Sequence, residues 1–369
     1  MPISAVQPQH YTALLSAKTD RVSALLAPFS PPSPEIFASP PTGFRLRAEF
    51  RMWHEGDVVN YVMFRRDAPK TPVVITDFPI ADARIQALMP VLHQKLNASL
   101  TLRRKLFQVE FLATLSGDMV VTLAYHRKLD AAWESAATVL AAELSDPLSP
   151  VSVIGRSRKQ KVVIGRDFVQ EVLPVRGEEF HYRQYEQGFS QPNGRMNIHM
   201  IEWACEQARA LPGDLLELYC GNGNFTLPLS RHFEHVIATE LSKTSIRAAR
   251  ENLAANSIDN VQLLRMSAEE VTQAMNAQRV FRRLRELPKP LEEYDLGTVF
   301  VDPPRAGLDA YTLEMVGRFN TIIYISCNPV SLAENLAPLH ATHAVTRFAL
   351  FDQFAYTDHM ECGVILQRR

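Results

Sequence analysis

Three shortages in the sequence each exclude a class of protein. The 369 residues include only four cysteines, none in a C-x-x-C pair, so the sequence predicts no zinc or iron–sulfur site. A disulfide framework is not expected in a chain of this size. No stretch reaches the roughly 18 consecutive apolar residues of a membrane span. We therefore predict a protein without a metal or a membrane segment, in which at least one cysteine is free for chemistry.

A large net charge is also lacking. The total is −1, but residues 1–200 carry 23 Lys+Arg against 19 Asp+Glu, a balance of +4, and residues 201–369 carry 16 against 21, a balance of −5. A basic first half favours contact with phosphate groups. The first residues lack a basic segment followed by an apolar one, so we expect no signal peptide and a cytoplasmic protein.

The first half of the chain is typical of an α+β domain. Apolar and polar residues alternate from Phe44 to Met52, which indicates a half-buried strand whose outer face carries Arg45, Arg47 and Arg51. Basic groups at 103–107 and 156–161 are, like these arginines, candidate phosphate contacts. The remaining patterns predict helices at 8–27, 82–95 and 130–145, proline-rich loops at 31–34 and 40–41, strands at 58–64 and 72–77, and hairpins at 106–126 and 151–173.

From about residue 195 the pattern changes to helices that alternate with short apolar strands. Strands are predicted at 215–219, 235–239, 261–265, 296–301 and 321–326, after a first helix at 196–210. This alternation is typical of α/β proteins with a parallel, doubly wound, Rossmann-like sheet. The last stretch, 344–367, has strand character twice and fits an antiparallel pair that closes the sheet.

Two strand ends in this half indicate a nucleoside-type cofactor. Residues 215–225 read L-L-E-L-Y-C-G-N-G-N-F, a strand that leads through a glycine turn into a helix, where backbone can approach a ligand closely. The third glycine of a dinucleotide loop is missing. Glu240 ends the next strand, where an acidic side chain can bond a ribose diol. The pattern serves an adenosyl cofactor and a dinucleotide equally well.

Two later strands end in loops with reactive groups. Asp302 opens the loop D-P-P-R-A-G at the carboxyl edge, where open α/β sheets bind ligands. Amino-group methyltransferases have an aromatic residue where this loop has Arg305, which favours different chemistry here. Cys327 follows the next strand and precedes a helix that starts at Val330. Because a helix N-terminus lowers the pKa of a nearby thiol, we expect a reactive thiolate at Cys327.

A thiolate would activate C5 of uracil. Its addition to C6 gives an enolate that can take a sulfonium methyl group at C5, after which a base must remove the C5 proton and the thiol must leave. Glu361 in D-H-M-E-C-G is the expected base, and on a strand it faces away from Cys362. Asp358 and His359 are its acidic and basic neighbours, and no role is assigned to them.

Several separated motifs resemble those of the RNA uracil-5-methyltransferase family. They are F-S-Q-P-N at 189–193, Y-C-G-N-G-N-F, D-P-P-R-A-G-L, I-I-Y-I-S-C-N-P and F-A-Y-T-D-H-M-E-C-G, and they extend over residues 180–369. The resemblance implies a Rossmann-like methyltransferase domain at 180–369, preceded by an α+β RNA-binding domain at 1–179. It makes Cys327 the nucleophile and Glu361 the proton acceptor. It also implies that S-adenosylmethionine is the cofactor, bound by Gln191, Tyr219, Asn224, Glu240 and Asp302.

Within that family, the length and the first half resemble the bacterial enzymes that form 5-methyluridine at position 54 of the tRNA T-loop. Ribosomal-RNA relatives commonly add a TRAM domain or an iron–sulfur site, for which this chain has neither the length nor the cysteines. The resemblance implies a monomer whose first half holds the T-arm, with the uridine flipped out. The alternatives are a 23S rRNA methyltransferase, an RNA-folding chaperone with secondary methylation, and a small-molecule or amino-group methyltransferase. Whether tRNA-like RNAs are also substrates stays open.

Overall fold

The protein consists of two compact units, each built on its own sheet. The computed structural model describes residues 6–65, 68–146 and 149–369. The first unit contains Pro40–Val172 and Arg183–Gly194, together with residues 6–9. The second unit contains His10–Ser39, Leu173–Tyr182 and Arg195–Arg369. The chain therefore passes between the units more than once, whereas the sequence analysis placed one boundary after residue 179.

Most of the predicted helices and strands are confirmed to within a few residues, but β1 and β10 were not predicted. The helices are α1 (Tyr11–Leu26), α2 (Ala83–Ala98), α3 (Leu100–Arg103), α4 (Ala131–Leu144), α5 (Gly194–Ala208), α6 (Thr226–Leu229), α7 (Lys243–Ala255), α8 (Ala268–Met275), α9 (Ala310–Val316) and α10 (Pro329–Leu339). The strands are β1 (Glu35–Phe37), β2 (Arg47–Glu55), β3 (Val58–Arg65), β4 (Ala68–Val74), β5 (Leu106–Ala113), β6 (Met119–Tyr125), β7 (Val151–Ser157), β8 (Gln160–Ile164), β9 (Phe168–Val175), β10 (Glu178–Tyr185), β11 (Asp214–Leu218), β12 (Val236–Thr239), β13 (Val261–Leu264), β14 (Leu296–Val301), β15 (Thr321–Ser326), β16 (His343–Phe351) and β17 (Glu361–Arg368). None of the helices in the described ranges is long and apolar enough to cross a membrane.

A seven-stranded sheet forms the centre of the first unit. Its order is β4-β3-β2-β5-β6-β7-β8, and β6 and β7 are its parallel pair. A parallel pair needs a crossover connection, and α4 supplies it. On β2, Ala48, Phe50 and Met52 are buried whereas Glu49 and Arg51 are exposed, which confirms the predicted period of two.

An eight-stranded sheet forms the centre of the second unit. Its order is β1-β16-β17-β15-β14-β11-β12-β13. Strand β17 is antiparallel to both of its neighbours, and the other pairs are parallel. The doubly wound sheet and its C-terminal antiparallel pair are therefore confirmed. The central strands are apolar and fully buried, as expected for a sheet covered on both faces.

The N-terminal helix α1 belongs to the second unit, although the sequence analysis placed residues 1–179 in a separate domain. Val22 and Leu26 of α1 are buried in one cluster with Leu332 and Leu336 of α10. Strand β1 adds to the same sheet by pairing in parallel with β16. An amphipathic helix docks on whichever surface covers its apolar side. Periodicity therefore predicted the helix, but long-range packing decided its unit.

Candidate active site

One edge of the second sheet brings the predicted nucleophile and base together. Ser326 at the end of β15 pairs with Cys362 of β17, and the two strands are antiparallel. The same register continued by one residue sets Cys327 opposite Glu361. Asp302 follows β14, the parallel neighbour of β15, at this edge. Strand pairing thus assembles three groups that are far apart in the sequence.

The Cys327 thiol lies in an environment that favours its neutral form. It is half-buried, and burial, followed by the charges of Glu361 and Asp302, raises the pKa of the thiol to about 11. The expectation that the N-terminus of α10 lowers this pKa is wrong, because burial and two carboxylates outweigh it. At neutral pH the Cys327 thiol is therefore protonated.

The two carboxyl groups at this edge also hold their protons unusually well. Glu361 is buried, and burial, with the charge of Asp302, raises its pKa well above the usual range. Burial raises the pKa of Asp302 to about 7. A carboxylate whose pKa is raised is a stronger base once it is ionised. The position of Glu361 thus suits a group that accepts a proton from carbon.

The loop that contains Asp302 is tied to the helix that follows Cys327. The side chain of Asn335 in α10 accepts hydrogen bonds from Leu308 N and Tyr324 Oη, both at 2.8 Å. A Cβ atom added to Gly307, whose φ is +78°, would lie 2.7 Å from Asn335 Oδ1. Asn335 was not predicted, and its signal was a polar residue in the buried stripe of an otherwise apolar helix face.

The glycine turn after β11 is fastened to the end of β12. Glu240 Oε2 accepts a hydrogen bond from Gly221 N at 3.1 Å, and Oε1 accepts one from Ser242 N at 2.6 Å. Each carboxylate oxygen can accept more than one hydrogen bond, so Glu240 can still receive ribose hydroxyls. Tyr219 has a φ of +61°, a conformation that bulky residues rarely adopt and that tends to occur at ligand sites.

The other predicted cofactor residues lie in different surroundings. Asn224 and Asn197 exchange two side-chain hydrogen bonds of 2.8 Å, and Tyr182 Oη donates to Asn224 O at 3.0 Å. These contacts fix Asn224 at the start of the segment that leads into α6. Gln191 belongs to the first unit, and its role in cofactor binding stays a prediction.

The glycine turn leaves room for a nucleoside cofactor. Apart from the turn's own residues, no described atom lies within 4 Å of a Cβ atom built on Gly221, so a ligand can approach this backbone. Glu217 of β11, just before the turn, is fully buried, and burial raises its pKa to about 8.

The first unit has a basic groove of a kind that suits RNA. Phe107 and His126 stack with their ring centres 3.9 Å apart, and the guanidinium of Arg51 lies 5.6 Å from the centre of the Phe107 ring. Stacked aromatic rings beside basic groups can hold unstacked bases and phosphates. Phe107 and His126 are among the residues around a cavity of about 590 Å³, with Ala124, Tyr125, Arg127, Lys128, Arg156, Ser157 and Arg158.

The structure separates the basic residues that the sequence grouped together. Arg47 donates to the carbonyl groups of Gly188 and Glu186, so its guanidinium is part of the fold. The charge of Arg156 is neutralised by a bidentate pair with Glu186. Arg51 is exposed and remains the best candidate for a phosphate contact. His126 and Lys128 were not predicted, although the run Y-H-R-K after a strand was a usable signal.

Sequence comparisons place the whole chain in one family. The model of the tRNA (uracil-5-)-methyltransferase family matches residues 10–369. The chain belongs to this family. Two bacterial relatives are both named tRNA/tmRNA (uracil-C(5))-methyltransferase. The protein from Ectopseudomonas mendocina is 55% identical over 100% of both chains, and the one from Aromatoleum aromaticum is 52% identical over 100% of this chain and 98% of its own.

A solved structure confirms the fold of this family member. The tRNA (uracil-54, C5)-methyltransferase of Pyrococcus abyssi, crystallised with S-adenosyl-L-homocysteine, superposes with a TM-score of 0.70. The match covers 98% of this chain and 85% of the archaeal chain at 19% identity. The predicted family, the Rossmann-like fold class and the enzyme class are therefore confirmed. In the described ranges, no group of three or more His, Cys, Asp or Glu side chains is arranged to hold a metal ion.

Proposed function

We propose that this protein transfers a methyl group from S-adenosylmethionine to C5 of a uridine in the tRNA T-loop, forming 5-methyluridine at position 54. The observation that carries the proposal is the antiparallel register of β15 and β17, which sets a thiol opposite a buried carboxyl group. This pair matches the two protein groups that the chemistry requires. The protein is proposed to act as a monomer, as its family resemblance implies, and to be located in the cytoplasm.

Each residue at the sheet edge has a defined task in this proposal. Cys327 Sγ gives its proton to solvent and bonds to C6 of the flipped uracil, which makes C5 a nucleophile. S-adenosylmethionine supplies the electrophilic methyl group, and Tyr219, Asn224, Glu240 and Asp302, with Gln191, would bind it. Glu361 then accepts the proton from C5, the bond from Sγ to C6 breaks, and the C5–C6 double bond is restored. The released thiolate takes up a proton, Glu361 gives its proton to solvent, and the methylated base returns to its place in the T-loop.

The choice of tRNA over ribosomal RNA rests on the relatives and on the first unit. The two bacterial relatives carry tRNA and tmRNA in their names and match this chain over its full length. The stacked pair Phe107 and His126 beside Arg51 supports binding of a loop whose bases have unstacked. Methyl incorporation into purified tRNA but not into 23S rRNA is the expected result. Preferential labelling of 23S rRNA would contradict the proposal.

Replacing Gly221 with alanine should weaken cofactor binding. The φ of Gly221 is +57°, and the new methyl group would enter the open space that the ligand is proposed to occupy. Gly56 has the same φ, and it too has no described atom near a Cβ position, so Gly56→Ala introduces the same strain of about 1 kcal/mol elsewhere. Titration calorimetry with S-adenosylhomocysteine should show a loss of about tenfold, or 1.4 kcal/mol, for Gly221→Ala alone. Equal affinity in both variants would remove this turn from the cofactor site.

Charge reversal at Arg51 should weaken tRNA binding without changing cofactor affinity. The matched control is Arg279→Glu, because Arg279 is also exposed and lies over a phenylalanine ring, with 4.8 Å between its guanidinium and the Phe281 ring centre. A lost phosphate contact lowers the dependence of affinity on salt by about one unit of log–log slope. Filter binding across a salt series should show this change for Arg51→Glu. The assignment fails if both variants respond alike or if cofactor affinity falls as well.

A further inference from the structure

The loop between β16 and β17, residues 352–360, leads directly to Glu361 and is held by the N-terminal helix. Tyr11 Oη of α1 donates a hydrogen bond to Asp352 Oδ2 at 2.8 Å. Lys18, two turns later on α1, forms an ion pair with the same carboxylate and donates to Phe354 O at 3.2 Å. Helix α1 thus contacts the loop at its first residue, Asp352, and again at Phe354.

This junction is buried, unlike most ion pairs of the protein. The side chains of Lys18 and Asp352 are only 7% and 1% exposed. Asp352 N also donates to Phe37 O of β1 at 3.0 Å, and Tyr11 Oη accepts a hydrogen bond from Ser39 N at 2.7 Å. A buried charge is tolerated only where partners satisfy it. The Lys18–Asp352 pair therefore leaves the start of the loop little freedom of position.

The loop contains a residue in a conformation that only outside contacts can maintain. Tyr356 has a φ of +63°, in the left-handed region that bulky side chains rarely adopt. The ring of Tyr11 packs edge-on against that of Tyr356, with centres 5.8 Å apart and planes at 60°. Unfavourable backbone conformations persist where the surrounding structure over-determines them. Helix α1 supplies part of that constraint.

We propose that Lys18 and Tyr11 are positioning residues that hold, through Asp352, the loop that sets the carboxyl group of Glu361 for proton removal. The inference rests on the proposed function, because it assigns α1 to the last chemical step of that reaction. Asn328, the residue after Cys327, is held by a different contact, since its side chain donates to Arg305 O at 3.0 Å. Loosening the contacts of Lys18 and Tyr11 with Asp352, while the packing of Val22 and Leu26 on α10 stays in place, should therefore impair proton removal and leave thiol addition and methyl transfer intact.

Two trapping assays on tRNA distinguish these steps. With 5-fluorouridine in place of uridine, the fluorine cannot leave as a proton does, so the covalent adduct accumulates without any need for the base. With natural tRNA and S-adenosylmethionine, a methylated adduct accumulates on a denaturing gel only when proton removal is slow. Lys18→Met and Tyr11→Phe should form the fluorinated adduct to the wild-type extent. Both should accumulate the natural adduct, with turnover at least tenfold slower.

A matched control lies on the same helix and contacts the same loop. Arg21→Met removes the ion pair with Asp358 and the hydrogen bond that Arg21 donates to Asp358 O. The two side chains are 50% and 94% exposed, and exposed contacts of this kind fix little. This variant should release product at the wild-type rate. Its accumulation of natural adduct to the level of Lys18→Met would overturn the assignment to the buried junction.

The remaining outcomes distinguish a failure of this inference from a failure of the proposed function on which it rests. If wild-type protein forms no fluorinated adduct, the proposed function fails and the inference fails with it. If the wild type forms the adduct and both junction variants release methylated tRNA normally, the inference alone is overturned. If a variant forms less fluorinated adduct and turns over natural tRNA more slowly by the same factor, and also unfolds at a lower temperature, the role of the residue is purely structural. Tyr11→Phe keeps the ring packing and provides the decisive result where Lys18→Met does not fold.

Discussion

A Cys327→Ala variant is expected to form no covalent adduct with 5-fluorouridine-substituted tRNA and to lose methyl transfer by at least about 10⁴-fold, the scale on which removal of a covalent nucleophile acts. C5 of uracil is a poor nucleophile, and the structure places one half-buried thiol opposite the proposed base. The other thiol described at this edge, Cys362, is fully buried and cannot take its place. A denaturing gel measures the adduct, and methyl incorporation into natural tRNA measures turnover.

Cys205→Ala is the control for this variant. Cys205 lies in α5 and is only 1% exposed, so a uracil ring cannot reach its thiol. This control should form the adduct normally, and S-adenosylhomocysteine should bind both variants. An adduct that persists in Cys327→Ala would place the nucleophile at another residue. Retention of any RNA-folding activity in the same variant would support the chaperone alternative for that activity.

A Glu361→Gln variant is expected to transfer the methyl group once and then to remain attached to the RNA. The amide has nearly the shape of the carboxyl group but cannot accept the C5 proton, so elimination of the thiol stalls. General-base catalysis contributes about 10²–10⁴-fold, and turnover should fall by that factor while adduct formation with 5-fluorouridine persists. Because burial and Asp302 raise the pKa of Glu361 well above its usual range, its loss removes the strongest carboxylate base at the edge.

Asp358→Asn tests the neighbouring acid in the same way. Its side chain is 94% exposed, so this variant should release methylated tRNA at the wild-type rate. Accumulation of the methylated adduct in Asp358→Asn, with normal release in Glu361→Gln, would exchange the roles of the two residues. Normal release in both variants would place the base outside this segment.

Local sequence patterns were sufficient for the elements and for the identity of the reactive groups. Strands β11 to β15 are short apolar runs, because both faces of a parallel sheet are covered, and each was predicted with bounds close to those observed. Cys327 and Glu361 were found because a thiol after a strand and an acid beside a turn are chemically distinctive. The family motifs then gave them roles that their spacing alone could not give.

Long-range packing decided three features that local patterns could not contain. The pKa of the Cys327 thiol is raised instead of lowered, because the carboxyl groups of Asp302 and Glu361 come from other strands. The hydrogen bond by which Asn335 holds the Asp302 loop forms only because α10 packs beside that loop. Helix α1 joined the second unit because its apolar face is covered by α10.

The sequence by itself determined which groups this protein can use: a thiol after a strand, an acid on the last strand, a glycine turn and a basic first half. These groups can be identified from the residue types and from the spacing of apolar residues, both of which are properties of the local sequence. Only the tertiary structure decided how those groups act, since the register of β15 and β17 sets Cys327 opposite Glu361. It also placed Lys18 and Tyr11 on the loop that leads to the base, because contacts across more than 300 positions depend on how whole elements pack.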